Sequence, residues 1–242
     1  MAQENETQLD LQLNALFATE ATGEAPQVSL DPYGFSVLTI CTGNICRSPL
    51  MAGLLRNHLH ALTEALGATA DFITVSSSGT GALIDAPADP LVLDLSRRLN
   101  TDLDSHRSRQ FEPSHAENAH VIVTATRAQR DEITQLAPSV GSRCFTLVEL
   151  ADLIDQLRRS GALEAPSTPL RRQTRISRRL QRLIAEAHAA RPLRTPSDHD
   201  DVEDPYRRSP QTHLRVAQQI SGLCDEIADR FAVALGVEGA PA

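Results

Sequence analysis

Apolar positions along the chain fall into short runs separated by longer stretches of helical spacing. Phe35-Ser-Val-Leu-Thr-Ile40 is short, apolar and β-branched, the pattern of a buried strand. Ser48-Pro49 begins a helix with proline in its first turn, and apolar spacing continues to about Leu66. Phe72-Ile-Thr-Val-Ser76 reads as a second strand, closed by Ser-Ser-Gly-Thr-Gly. Asp89-Pro90 opens a helix to about Leu99. Val121-Ile-Val-Thr124 forms a third strand, residues 127–136 a helix, residues 143–147 a fourth strand and residues 148–157 another helix. The last helix runs over about 212–235, with Leu214, Ile220, Leu223, Ile227, Phe231 and Leu235 apolar. Strands alternating with helices predict an α/β fold, a parallel sheet with crossover helices on both faces.

Two stretches depart from this alternation. Residues 1–34 hold six acids and no Arg; Leu9, Leu13, Leu16 and Phe17 follow helical spacing, and Gly23, Pro26 and Pro32 read as linker. This is an acidic N-terminal extension, expected to dock loosely. The second departure is an insertion at about 158–201. It starts with a Gly/Pro/Ser-rich piece, continues as a basic helix over about 171–191 with Ile176, Leu180, Leu183, Ile184 and Ala187 on one face, and ends in a linker carrying Asp198-His199-Asp200-Asp201. That acidic run is expected to be solvated. Residues 35–242 then form one domain with this insertion inside it.

Composition adds limits. The 242 residues are 41% hydrophobic and 22% charged, which excludes a disordered or collagen-like chain. All 23 basic residues are Arg, and the net charge is −8. Residues 156–196 carry ten Arg against two Glu, so the rest of the chain is strongly acidic and nucleic acid is not expected as a partner by net charge. The N-terminus lacks the basic start of a signal peptide, and no apolar run approaches the roughly 18–20 residues of a membrane span. A cytoplasmic location is therefore expected, and the four Cys are not read as a disulfide framework.

The chemistry concentrates at Cys41-Thr-Gly-Asn-Ile-Cys-Arg47-Ser48, directly after a strand and before a helix. A helix N-terminus presents unpaired backbone N–H groups and a positive dipole end to a tetrahedral anion. Gly43 is expected to take φ > 0 and turn successive N–H groups inward. Arg47 supplies a planar fork for two phosphoryl oxygens. The same field favours a thiolate at Cys41, a nucleophile beneath an anion cradle. Ser48 is placed to hydrogen-bond that thiolate and Asn44 to tie the loop together. A lone Cys at a strand end would read as a buried thiol; the Gly, Asn, Arg and Ser around it change that reading. The eight His show no metal-site spacing, so neither a metal nor a cofactor is expected.

This loop with its flanks, Val37 to Pro49, resembles the C-x-G-N-x-C-R-S-P signature of the low-molecular-weight protein tyrosine phosphatases. Ser77-Ser-Gly-Thr80, His106-Arg-Ser-Arg-Gln110 and Asp204-Pro205-Tyr206 resemble further segments of that family in the same order. The resemblance covers about 35–150 and 202–235. It implies a three-layer sandwich with a four-stranded parallel sheet of order 2-1-3-4 and the phosphate-binding loop between the first strand and first helix. It also implies hydrolysis of phosphotyrosine through a cysteinyl-phosphate, with Cys41, Arg47 and Asp204 catalytic. Thr42, Gly43, Asn44, Ile45, Cys46, Ser48 and Tyr206 would bind substrate. Cys46 matches the family's second loop Cys, a thiol able to trap oxidised Cys41 as a disulfide, and His106 would take a structural place beneath the loop. A phosphotyrosine protein is the implied partner, such as a bacterial tyrosine kinase. Two other readings stay open at this point: a thiol-dependent arsenate reductase of the same fold, and a non-catalytic phosphate-binding regulatory module.

Overall fold

The computed structural model describes residues 34–69, 71–166, 170 and 172–237. The acidic extension, expected over 1–34, lies outside the described residues except for Gly34. Four strands, β1 (Phe35–Cys41), β2 (Ile73–Gly79), β3 (Val121–Thr124) and β4 (Cys144–Thr146), form one parallel sheet of order β2-β1-β3-β4. The helices are α1 (Arg47–Ala65), α2 (Pro90–Arg98), α3 (Pro113–Glu117), α4 (Arg127–Leu136), α5 (Leu147–Arg159), α6 (Gln173–Ala190) and α7 (Pro210–Leu235).

Period-two alternation along β1 divides the core. Phe35, Val37 and Cys41 face one layer with Val121, Val123 and Phe145, where α1, α5, α6 and α7 pack. Leu38 and Ile40 face the other with Ile122 and Cys144, against Phe111, Ile133 and Val140. The result is three layers, as expected.

Local chemistry sets the ends. Asp89 caps α2 by accepting from Leu91 N at 2.9 Å, and proline follows in the first turn. Thr126 caps α4 and Thr146 caps α5, each in a reciprocal box with the residue three on. Gly236, in the left-handed region at φ 70°, stops α7. No helix among the described residues is long and apolar enough to cross a membrane.

The basic segment is held more firmly than a helix with a solvated Arg face. Ile176, Leu180, Leu183, Ile184 and Ala187 are buried in the α1-side core. Arg191 reaches Glu149 of α5 at 2.9 Å and lies over the Phe145 ring at 4.5 Å. Arg179 and Arg182 pair with Glu186, and Arg158 and Arg159 with Asp155. Much of the surplus positive charge is therefore spent on neighbouring carboxylates.

The sheet order places the site. β1 leads into α1 on one face and β3 into α4 on the other, so a crevice opens at the carboxyl ends of these adjacent strands. Cys41 is the last residue of β1.

Candidate active site

Residues 41–47 bridge β1 and α1 at that crevice. The left-handed backbone expected of Gly43 belongs instead to Asn44, at φ 55°. Asn tolerates this conformation because its short amide can be fully used there. Its Nδ2 donates to Ser48 Oγ and Ser77 Oγ, both at 2.9 Å. Its Oδ1 accepts from Arg109 N at 2.9 Å, and its carbonyl oxygen accepts from His106 Nε2 at 2.7 Å. Burial, the largest cause, holds the His106 imidazole below its usual range, so a neutral ring donates here. His106 thus sits beneath the loop.

β2 completes the support. Gly79 is in register with Cys41, and a Cβ there would lie 2.2 Å from Thr42 O. Thr80 N and Gly81 N donate to the carbonyls of Cys41 and Thr42, and Leu83 N donates to that of Gly43. Gln129 of α4 donates to Thr42 Oγ1 at 3.0 Å. Every backbone carbonyl of residues 41–44 is therefore occupied, and the loop is fixed before any ligand arrives.

Cys41 Sγ is 3.0 Å from Ser48 Oγ, close enough for that hydroxyl to stabilise a thiolate. Arg47 is 3% exposed. Its NH1 donates to Val202 O at 2.9 Å and its NH2 lies 3.0 Å from Asp204 Oδ2, while its Nε is buried with no hydrogen-bond partner. A buried guanidinium N–H left over in a loop shaped for an anion suits a phosphoryl oxygen.

Asp204 comes to the crevice on an anchored strap. Val202 N donates to Ala125 O at 2.8 Å, and Asp201 pairs with Arg127 at 3.2 Å. Asp200 is 2% exposed and takes two short bonds from Arg194, at 2.6 and 2.7 Å. The run Asp198–Asp200 is a 3-10 turn capped by Ser197, in which Asp198 and His199 stay exposed as expected while Asp200 is buried. The Asp200 charge is paired with Arg194, which is why it can be buried.

These elements enclose a cavity of about 140 Å³. Cys41, Thr42, Gly43, Ile45, Cys46, Arg47, Asp204 and Tyr206 line it, so most of the expected site residues converge. Asn44 and Ser48, expected to contact substrate, do not line it; both are fully buried beneath the loop, which they hold in shape. Gly81 and Leu83 line the cavity and were not anticipated. Their only sequence signal is position, Gly81 ending the Ser-Gly-Thr-Gly close of β2 and Leu83 lying two residues on. Burial, with help from Asp89, pushes the Cys46 thiol up, so it is protonated at neutral pH.

Residues 36–168 match the model of the low molecular weight phosphotyrosine protein phosphatases, more than half of the chain. The chain belongs to this family. It is a protein-tyrosine phosphatase, with bacterial relatives. One of these, named a probable low molecular weight protein-tyrosine-phosphatase EpsP of Ralstonia nicotianae, is 32% identical over 126 residues, 51% of this chain and 79% of the relative. Among solved structures, the tyrosine phosphatase Wzb of Escherichia coli in complex with sulphate aligns with TM-score 0.53 and 21% identity, covering 80% of this chain and 96% of that one. The arginine phosphatase YwlE of Geobacillus stearothermophilus aligns with TM-score 0.56 and 19% identity, covering 86% and 99%. At these identities the structures establish the phosphatase's fold, including its sheet order.

Proposed function

We propose that this phosphatase works by two displacements at phosphorus, with Cys41 as nucleophile, Arg47 as anion clamp and Asp204 as general acid. The Cys41 thiolate attacks phosphorus, and the bond from phosphorus to the tyrosine oxygen breaks as Asp204, in its acid form, gives that oxygen its proton. The Asp204 carboxylate then takes a proton from water, the water oxygen attacks the thiophosphate, the S–P bond breaks and inorganic phosphate leaves. Thr42, Gly43, Ile45, Cys46 and Arg47 surround the phosphoryl group, and Tyr206 flanks the substrate ring. The observation that carries this reading is that Cys41, Arg47 and Asp204 share one cavity, with Arg47 joined to Asp204 at 3.0 Å although they come from opposite ends of the domain.

The reductase alternative requires further redox thiols beyond those of the loop itself. Cys144 in β4 and Cys224 in α7, the two cysteines outside the loop, are fully buried and do not line the cavity. A purely binding module would need neither thiolate nor acid. The four free cysteines suit a reducing compartment, and we place the protein in the cytoplasm. We read 158–201 as an insertion in a domain spanning 35–242, and a phosphotyrosine-bearing protein, such as a bacterial tyrosine kinase, as substrate.

Hydrolysis of p-nitrophenyl phosphate tests the roles. Cys41→Ser should abolish turnover, and Asp204→Asn should lower kcat by about 10²–10⁴-fold, the usual worth of general acid catalysis. Turnover retained in Cys41→Ser refutes the mechanism. Phosphotyrosine, phosphoserine and phosphoarginine peptides run side by side should show preference for the first.

A further inference from the structure

Three helices begin together behind the phosphate loop. Cys46 is the N-cap of α1, Asp89 is the N-cap of α2, and His213 lies in the first turn of α7. Cys46 Sγ, an Asp89 carboxylate oxygen and a His213 ring nitrogen all lie within 4.8 Å of one another. His213 is 3% exposed. Its Nδ1 is 3.1 Å from Ser209 O, and since a carbonyl only accepts, Nδ1 carries a proton. Nε2 is buried with no hydrogen-bond partner, and it faces Asp89 Oδ1 at 3.6 Å. In a neutral ring that places a nitrogen lone pair against a carboxylate oxygen, an arrangement that calls for a cation between them.

We propose that Cys46 Sγ, the Asp89 carboxylate and His213 Nε2 form a Zn²⁺ site. Zn–N bonds of about 2.0 Å and Zn–S bonds of about 2.3 Å give tetrahedral edges of roughly 3.3–3.6 Å. The Nε2 to Oδ1 separation of 3.6 Å already has that value, and the other two need only small side-chain shifts from within 4.8 Å. One thiolate, one imidazole and one carboxylate suit zinc, whereas Mg²⁺ and Ca²⁺ take oxygen ligands. The Nδ1–H bond to a backbone carbonyl orients the ring as such bonds orient metal-binding histidines. On binding, Cys46 loses its proton to solvent and the sulfur–zinc bond forms, with no change of oxidation state; a water fills the fourth position. Two anionic ligands neutralise the ion, so the positive ends of the three helices do not oppose the complex. The bound ion would pin the end of the phosphate loop to α2 and α7.

Co²⁺ titration of the full chain, followed by Zn²⁺ displacement, tests this. Wild type should take up one equivalent with a thiolate-to-cobalt charge-transfer band and the intense visible bands of tetrahedral cobalt. His213→Ala should weaken Co²⁺ binding by at least the roughly 10–100-fold seen when even an outer-sphere partner is lost. Cys46→Ser should remove the charge-transfer band and Cys41→Ser should keep it. Unchanged affinity in His213→Ala, or a band lost with Cys41→Ser, would overturn the assignment by placing the metal on the nucleophile. No band in wild type would also overturn it and leave His213 and Asp89 joined through a proton alone. Should His213→Ala fail to fold, Asp89→Asn gives the same reading.

Discussion

Replacing Gly79 by alanine isolates how much the phosphate loop depends on the strand beneath it. Gly79 does not have positive φ, so alanine meets no backbone penalty, and loss of glycine's chain entropy alone would stabilise by about 0.4–1 kcal/mol. Sterics act the other way. The new Cβ would sit 2.2 Å from Thr42 O and 3.0 Å from both Asn44 Cβ and Asn44 N, all parts of the loop's own frame. Reaching even the 3.0 Å limit of real contacts requires an opening of about 0.8 Å, and none of the three atoms is the end of a flexible side chain. Overpacking of this kind costs about 1–3 kcal/mol, which exceeds the entropy gain. Displacement of a reacting group by about 1 Å costs on the order of 10²-fold in rate. We therefore expect kcat/KM on p-nitrophenyl phosphate to fall about 100-fold, with a lower Tm of a few degrees, since 1 kcal/mol is worth about 2–4 °C at this size. Steady-state kinetics and thermal unfolding on the same preparation measure both. Wild-type activity together with an unchanged or higher Tm would refute the claim that Gly79 is fixed by contact with the loop.

Three further outcomes follow from the same packing. Arg191→Ala removes one of the two arginines on Glu149 (Arg130 stays at 3.1 Å), a bond to Cys144 O at 2.7 Å and the cation over Phe145; urea unfolding should show a loss of about 1.5–3 kcal/mol, and a value under 0.5 kcal/mol would mean that α6 docks by its apolar face alone. The Arg194 hydrogen bonds hold the Asp200 carboxyl below the usual carboxylate range; folding therefore gains stability as pH rises through that lowered folded value to about 4, and loses it on acidification, so the stability gap between wild type and Asp200→Asn should be largest near neutrality and close below pH 4. Cys46 shares the cavity with Cys41, so peroxide-inactivated wild type should recover with dithiothreitol while Cys46→Ser should not; equal recovery would remove the trapping role.

The alternating elements were readable because burial on both sheet faces leaves apolar, β-branched runs at β1 and β3. The apolar pattern of β2 ends at Ser76, yet the strand pairs with β1 through Gly79. Its last residues are polar because Ser77 serves Asn44 and Gly79 lies under Thr42, so function has overwritten the strand pattern there. α3 leaves no trace in the pattern because five residues carry no periodicity. The loop chemistry was legible because its residues are contiguous. The bond of Ser48 to Cys41 and the tying amide of Asn44 were legible with it. The left-handed backbone of Asn44, the withdrawal of Asn44 and Ser48 from the cavity, and Gly81 and Leu83 were not, since each depends on which strand lies beside which. The same holds for Cys46, Asp89 and His213, which no spacing rule connects.

The strap before Asp204 is tied at Asp200, Asp201 and Val202, to Arg194, Arg127 and Ala125. Arg194 belongs to the inserted segment itself, so the insertion carries one of the pins that fix where the acid emerges. Only the connection between α5 and α6 can change in length without touching those pins. The surplus chain therefore does more than decorate the domain: its far end is part of the frame that holds Asp204 over the loop.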